Sequence, residues 1–185
     1  FDLALGFSEG LAAAGWADPT GVISWGYIDR LGTFVIAPQF ESATGFSEGL
    51  AAVMVTEKWG YIDKTGAVVI PTQFDYADGF SEGLAAVKGG GGYGYIDSTG
   101  AMVVQARYSW AYAFSEGLAV VEIDDGEDTV CGYIDTSGAV VVEPRYGRAS
   151  AFSGGLGHVI DPEDGAFSSA YLDTSGKIVW QMTRE

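Results

Sequence analysis

Basic residues are few in this chain: 9 Lys and Arg stand against 25 Asp and Glu, for a net charge of −16. That excludes nucleic acid and anionic membrane surfaces as partners, because both need clustered cations. The acidity reads as a solubility device for a β surface rich in glycine and aromatics, and basic proteins or cations are what it attracts. Cysteine is limited to Cys131, which excludes an intramolecular disulfide framework and a cysteine-rich zinc site. Histidine is limited to His158; acid–base catalysis through it needs a partner and a nucleophile, and no Gly-x-Ser-x-Gly elbow is read in the chain to supply one. No apolar run reaches the roughly 18 residues of a membrane-spanning helix, so no membrane insertion is expected. No signal peptide is visible, and the chain opens at Phe1 instead of Met. This reads as processing or an excerpt, and favours a secreted, periplasmic or cell-surface setting over a cytoplasmic one. Charged residues amount to 18% and hydrophobic ones to 48%, a balance that supplies a core and tells against disorder.

What is present in abundance is repetition. Phe-Ser-Glu-Gly-Leu starts at Phe7, Phe46, Phe80 and Phe114, and an altered copy, Phe-Ser-Gly-Gly-Leu, starts at Phe152. Gly-Tyr-Ile-Asp follows at Gly26, Gly60, Gly94 and Gly132, with Ala170-Tyr171-Leu172-Asp173 as its fifth form. The central spacing is 34 residues (46 to 80 to 114), a period that means a repeat architecture. The chain divides into one repeat domain of five units, 1–39, 40–73, 74–107, 108–145 and 146–185.

Each unit reads as a three-stranded antiparallel meander. The strands are exemplified by Leu84 to Val87, Trp59 to Asp63 and Ala67 to Ile70, with Pro38, Pro71 and Pro144 expected to close three of the last kind. The turn between the second and third strands has the form Asp-x-x-Gly throughout: Asp29/Gly32, Asp63/Gly66, Asp97/Gly100, Asp135/Gly138 and Asp173/Gly176. Asp bonds amides two residues on and Gly supplies positive φ, which suits a type I turn with a G1 bulge. The stretch from Phe74 to Gly83 lacks alternation and reads as a crossover whose phenylalanines plug the space between sheets. The fold expected is therefore all-β with about fifteen strands. It is either an open twisted array or a closed five-bladed ring, and the open array is preferred because each unit needs only its neighbours.

The run from Trp59-Gly60-Tyr61-Ile62-Asp63 through Pro71 and Phe74 to Phe80-Ser81-Glu82-Gly83-Leu84 resembles the WG-repeat family of bacterial proteins, named for the pair seen here as Trp25-Gly26 and Trp59-Gly60. Tyr93, Cys131 and Ala170 are read as standing in place of the Trp in later units. The resemblance covers essentially the whole chain. It implies an all-β repeat with a binding or scaffold role, and neither a reaction nor a cofactor.

Several groups are candidates for function. Trp25, Trp59, Tyr93 and Trp110, with Tyr27, Tyr61, Tyr95 and Tyr133, line up unit by unit. On an exposed face they would suit sugar stacking or a protein groove; under a neighbouring unit they would be core. The turn aspartates read as turn formers rather than ligands, and Glu9, Glu48, Glu82 and Glu116 as solvated turn residues, with Gly154 showing the turn tolerates their loss. The acidic loops Asp124 to Asp128 and Asp161 to Asp164 are dense enough in carboxylate to attract Ca²⁺ but lack EF-hand spacing, so no metal is expected. Cys131 reads as a small buried hydrophobe. The function expected is a non-catalytic module presenting a repeated β surface to a protein partner; the alternative is glycan binding through repeated aromatic subsites.

Overall fold

The computed structural model describes residues 3–124, 126, 128–161 and 168–182. Among these residues are twenty strands in five four-stranded sheets and no helix. The first sheet runs β1 (Leu3–Ala4), β2 (Ala12–Ala17), β3 (Ile23–Ile28), β4 (Phe34–Phe40), and the second β5 (Ser42–Ala43), β6 (Leu50–Val55), β7 (Lys58–Asp63), β8 (Val68–Phe74). The third holds β9 (Tyr76–Ala77), β10 (Leu84–Gly89), β11 (Gly92–Asp97), β12 (Met102–Tyr108). The fourth holds β13 (Trp110–Ala111), β14 (Leu118–Asp124), β15 (Thr129–Asp135), β16 (Val140–Tyr146), and the fifth β17 (Arg148–Ala149), β18 (Leu156–Asp161), β19 (Ser168–Asp173), β20 (Ile178–Gln181). Each sheet is an open antiparallel ladder and none closes into a barrel, as a tandem β array requires. Two compact units result, Phe1–Gly89 with Ile96–Ala101 and Gly90–Tyr95 with Met102–Glu185. No helix among the described residues is long and apolar enough to cross a membrane.

Three details differ from the sequence expectation. Each sheet has a fourth strand, two residues long, inside the stretch read as a crossover. In the second sheet Glu41 N–H donates to the Met54 carbonyl and Thr44 N–H to that of Ala52, each at 2.9 Å. Two residues carry no hydrophobic period, so backbone bonds alone make this strand. The prolines do not end their strands: Pro38, Pro71 and Pro144 lie within β4, β8 and β16. Those strands are the outer ones of their sheets, where a missing N–H costs no ladder bond. Finally, Met54 pairs with Trp59 and Val53 with Gly60, while Ile160 pairs with Ser169 and Val159 with Ala170. Ser169, not Ala170, thus occupies the Trp position, and Ala170 occupies that of the Gly.

That Gly position is set by the bulged third strand. Trp59 pairs with Phe74 but Tyr61 with Ile70, so β8 carries extra residues opposite Gly60. A Cβ on Gly60 would lie 2.6 Å from the Ile70 carbonyl oxygen. In the fifth sheet Ala170 pairs with Gln181 and Tyr171 with Trp180 without that shift, and the alanine fits.

The Leu-Ala-Ala-Val strands are buried along their whole length on both faces, as Leu50 to Val53 and Leu84 to Val87 show. Small alanines there let neighbouring sheets approach. Within the first unit one core cluster joins Ala13, Tyr27, Ile36 and Phe40 of the first sheet to Phe46, Ala51, Val53 and Ile62. Within the second, Val120, Tyr133 and Val142 join Phe152, Val159 and Leu172. The apolar core therefore lies between consecutive sheets, as in repeat proteins whose units cannot bury a face alone.

Candidate functional site

The aromatics proposed for a binding face divide into two groups. Tyr27, Tyr61, Tyr95 and Tyr133 are fully buried, at 0–1% exposure. Their rings pack on Phe46, Phe80, Phe114 and Phe152 at centroid distances of 4.8, 5.0, 4.8 and 4.9 Å. Each phenol donates to the carbonyl two residues before that phenylalanine: Thr44 at 2.8 Å, then Asp78, Tyr112 and Ser150 at 2.7 Å. Burial pushes the phenols of Tyr27, Tyr61 and Tyr133 far above their ordinary pKa. These four are covered by the following repeat and offer no stacking platform. Tyr93 is buried too, 4.5 Å from the Trp110 ring. Trp25 and Trp59 are half-buried and Trp110 is exposed, so the accessible remainder does not recur once per repeat.

The turn residues form a uniform device. Gly32, Gly66, Gly100, Gly138 and Gly176 have φ between 79° and 86°. Asp63 Oδ1 accepts from Thr65 N–H at 2.8 Å, the Thr65 hydroxyl at 2.6 Å and Ala67 N–H at 3.0 Å. The same set surrounds Asp97, Asp135 and Asp173. Asp29 takes the two N–H bonds from Leu31 and Thr33. The hydroxyl bond leads the causes that lower the acids of Asp63, Asp97, Asp135 and Asp173 below the ordinary carboxylate value. A further copy lies outside the repeated turns, at Asp18-Pro19-Thr20-Gly21, whose spacing is the same: Asp18 Oδ1 accepts from Thr20 N–H, the Thr20 hydroxyl and Val22 N–H.

The glutamates of Phe-Ser-Glu-Gly-Leu are more than solvated turn residues. Glu9, Glu48, Glu82 and Glu116 sit at φ of 51–56°, each followed by a glycine also at positive φ. Both central residues at positive φ make a two-residue turn of type I′, and a side chain there carries local strain. The carboxylates reach the same turn one repeat on: Glu9 accepts from Gly49 N–H at 3.1 Å, Glu48 from Gly83 at 3.0 Å, and Glu116 from Gly154 and Gly155 at 2.8 Å. Gly154 keeps the turn at φ 62° without a side chain.

Nucleophile chemistry finds little footing. The Gly-x-Ser-x-Gly spacing of an elbow is in fact met at Gly6 to Gly10, Gly45 to Gly49 and Gly79 to Gly83. These are strand-to-strand turns rather than strand-to-helix elbows. Ser8 and Ser47 hydroxyls donate to the carbonyls of Phe46 and Phe80 at 2.5 and 2.6 Å. His158 Nε2 meets the Ser169 hydroxyl at 2.6 Å, far along the chain from any of them. Cys131 is buried, and burial followed by the Glu122 charge raises its thiol pKa, opposing a reactive thiolate. It lines a cleft of about 480 Å³ with Tyr112, Glu122, Thr129 and Arg148. The Tyr112 hydroxyl donates to Glu122 at 2.8 Å, and burial, then that bond, push its pKa up to about 12. Among the described residues no group of three or more His, Cys, Asp or Glu is placed to hold a metal. Asp125, Glu127 and residues 162–165 of the acidic loops lie outside the described residues, as does Phe1.

The apolar groups that face solvent do recur. Val35, Val69, Val103 and Val179 hold equivalent places one residue before Ile36, Ile70, Val104 and Trp180 on the outer strands, and are 52, 41, 40 and 51% exposed. Their counterpart Val141 is half-buried. None of these valines was expected from the sequence to carry a surface, although alternation with the buried Ile36 and Ile70 was the available signal.

The family model described as "WG containing repeat" matches residues 25–59, 59–92, 93–126 and 132–159. No curated protein matches the chain in sequence. Among solved structures it is similar to a protein assigned as TolB from Agrobacterium tumefaciens, with 12% identity, 92% of this chain and 80% of that one covered, and a TM-score of 0.46. It is also similar to TolB from Acinetobacter baumannii, at 13% identity, 95% and 53% coverage and a TM-score of 0.48. For the tricorn protease the values are 12%, 95% and 20%, and 0.36.

Proposed function

The chain belongs to the WG containing repeat family, and from that premise we propose that it is a non-catalytic scaffold that docks a protein partner on the outer strands of its sheets. The observation that carries this is the exposed valine at one position of four of the five repeats, Val35, Val69, Val103 and Val179. Solvent-facing aliphatics at a fixed place in four of the five units are poorly explained by packing, and repeat proteins use such repeated surfaces for extended contacts. Pro38, Pro71 and Pro144 on the same outer strands oppose strand addition by a partner, so side-chain docking is the favoured mode. The glycan alternative draws less support, since the four strand tyrosines are sealed beneath phenylalanines. The acidic character favours a partner with a basic rim.

The test is a double variant, Val69→Ser with Val103→Ser. Both side chains are well exposed, so melting is expected to stay within about 2 °C of the parent. Proteins that the parent captures from a bacterial extract should be lost from the variant. Equal capture by both refutes the valine surface, and one binding event per repeat on a glycan panel would replace the reading altogether.

A further inference from the structure

Residues that recur in every repeat serve the repeat, and those that do not are free to serve something else. Four side chains that recur at their place in no other repeat converge on one cleft of about 480 Å³, a volume typical of small-molecule sites. Tyr112 stands where other repeats have Thr44, Asp78 and Ser150, and Glu122 where they have Met54, Lys88 and Ile160. Cys131 stands where they have Trp25, Trp59, Tyr93 and Ser169, and Arg148 where they have Ser42, Tyr76 and Trp110. Within the same compact unit, the counterparts of Cys131 and Arg148 one repeat earlier are Tyr93 and Trp110, which pack ring on ring at 4.5 Å. A thiol and a flexible guanidinium in place of those rings leave ring-sized space open.

The walls of the cleft hold both signs of charge. Glu122 and Cys131 are cross-strand partners on β14 and β15, and Glu122 accepts from the Tyr112 hydroxyl at 2.8 Å. An ionised carboxylate has about four acceptor sites, so that single bond leaves room for a cation. Arg148, exposed on β17, lines the same cleft, and among the described residues it forms no ion pair with Glu122. Opposite charges held apart across a ring-sized space match a molecule that carries both. We propose that this cleft binds an aromatic α-amino acid in its zwitterionic form. The ring takes the space that Tyr93 and Trp110 fill one repeat earlier, over Cys131 and Ala149 and against the Tyr112 ring. The ammonium group pairs with Glu122, and the carboxylate pairs with the Arg148 guanidinium, whose fork suits a carboxylate. Cys131 serves as a soft, uncharged floor rather than as a nucleophile. A neutral sugar carries neither charge, and a protein side chain carries only one of them. The site therefore goes beyond docking on the outer strands.

Equilibrium dialysis of the whole chain against L-tryptophan tests this. One site per chain is expected, with a dissociation constant between about 0.01 and 1 mM. Tryptamine lacks the carboxylate and indole-3-propionate the ammonium group, so each should bind about tenfold more weakly, the worth of one charge-assisted contact. Glu122→Gln keeps an acceptor for the Tyr112 hydroxyl; it should weaken L-tryptophan about tenfold and leave indole-3-propionate unweakened. Arg148→Gln should weaken L-tryptophan by a similar factor and leave tryptamine unweakened. Cys131→Trp, which installs the residue found at Trp59, should fill the cleft and abolish binding. A melting temperature close to the parent's shows that this variant folds; if it does not fold, the Glu122→Gln and Arg148→Gln variants decide alone. The proposal is overturned by no binding of L-tryptophan up to about 5 mM, or by either analogue binding as tightly as L-tryptophan. It is equally overturned if Glu122→Gln, Arg148→Gln or a folded Cys131→Trp binds L-tryptophan undiminished.

Discussion

Asp63 shows how much one oxygen atom can do: its Oδ1 gathers two backbone N–H groups and a hydroxyl, and the Thr65 hydroxyl bond is the foremost reason its acid lies below the ordinary value of 3.8. Because the folded-state pKa is depressed, the carboxylate adds stability above the unfolded pKa, and that stability is lost as pH falls through the folded one. Asp63→Asn should therefore lower the melting temperature at pH 7, and the gap should shrink as pH falls below the ordinary carboxylate range and through the depressed folded-state pKa. Thermal melts of both proteins across pH decide it; a gap of constant size would remove the carboxylate charge from the account. This residue was legible in the sequence because its partners lie within four positions. Glu48 was not, since its partner is the N–H of Gly83, 35 residues on. Gly60 was visible as half of a motif, but its reason, the Ile70 carbonyl pressed against it, exists only once β8 has bulged.

Among the elements, the hairpin between β6 and β7 holds backbone strain. Its two loop residues, Thr56 and Glu57, sit at φ 52° and 59°, and Glu41 accepts from both of their N–H groups at 2.8 and 3.0 Å. The third repeat meets the same geometry with Gly90 and Gly91, at φ 64° and 110°. Replacing Thr56 and Glu57 together by Asn-Gly, the pair that type I′ turns favour, should stabilise the protein by about 1 kcal/mol. The urea midpoint should rise with an unchanged slope; a lower midpoint would mean that the side chains of Thr56 or Glu57 contribute more than their backbone strain costs. The longer strands could be read from alternation and turn residues. Ser42–Ala43 and its equivalents could not, being too short for any period, and Pro71 misled because its tolerance depends on β8 being an outer strand.

For the molecule as a whole, charge is the term that contacts do not settle. Lys58 pairs with Asp75, and Lys64 with Glu9 at 3.0 Å, yet the net charge stays at −16. Self-repulsion of that size should be screened by salt, so raising NaCl from about 0.02 to about 0.15 M should raise the melting temperature by roughly 2–4 °C. A fall instead would mean that ion pairs outweigh repulsion. The repeat itself was plain in the sequence, and the alternation put Trp59 and Tyr61 on one face, but what covers that face is decided by Phe80 in the next unit. The phenol bond that joins them has a further consequence for how such a chain can change over generations. A stretch one period long, such as Gly60 to Tyr93, carries both halves of a junction: the Tyr61 phenol, and the Asp78 carbonyl with Phe80 that receives it. A piece of coding sequence of that length, gained or lost by unequal recombination, thus leaves no buried hydroxyl unmet. Copy number is free to drift while every junction stays whole.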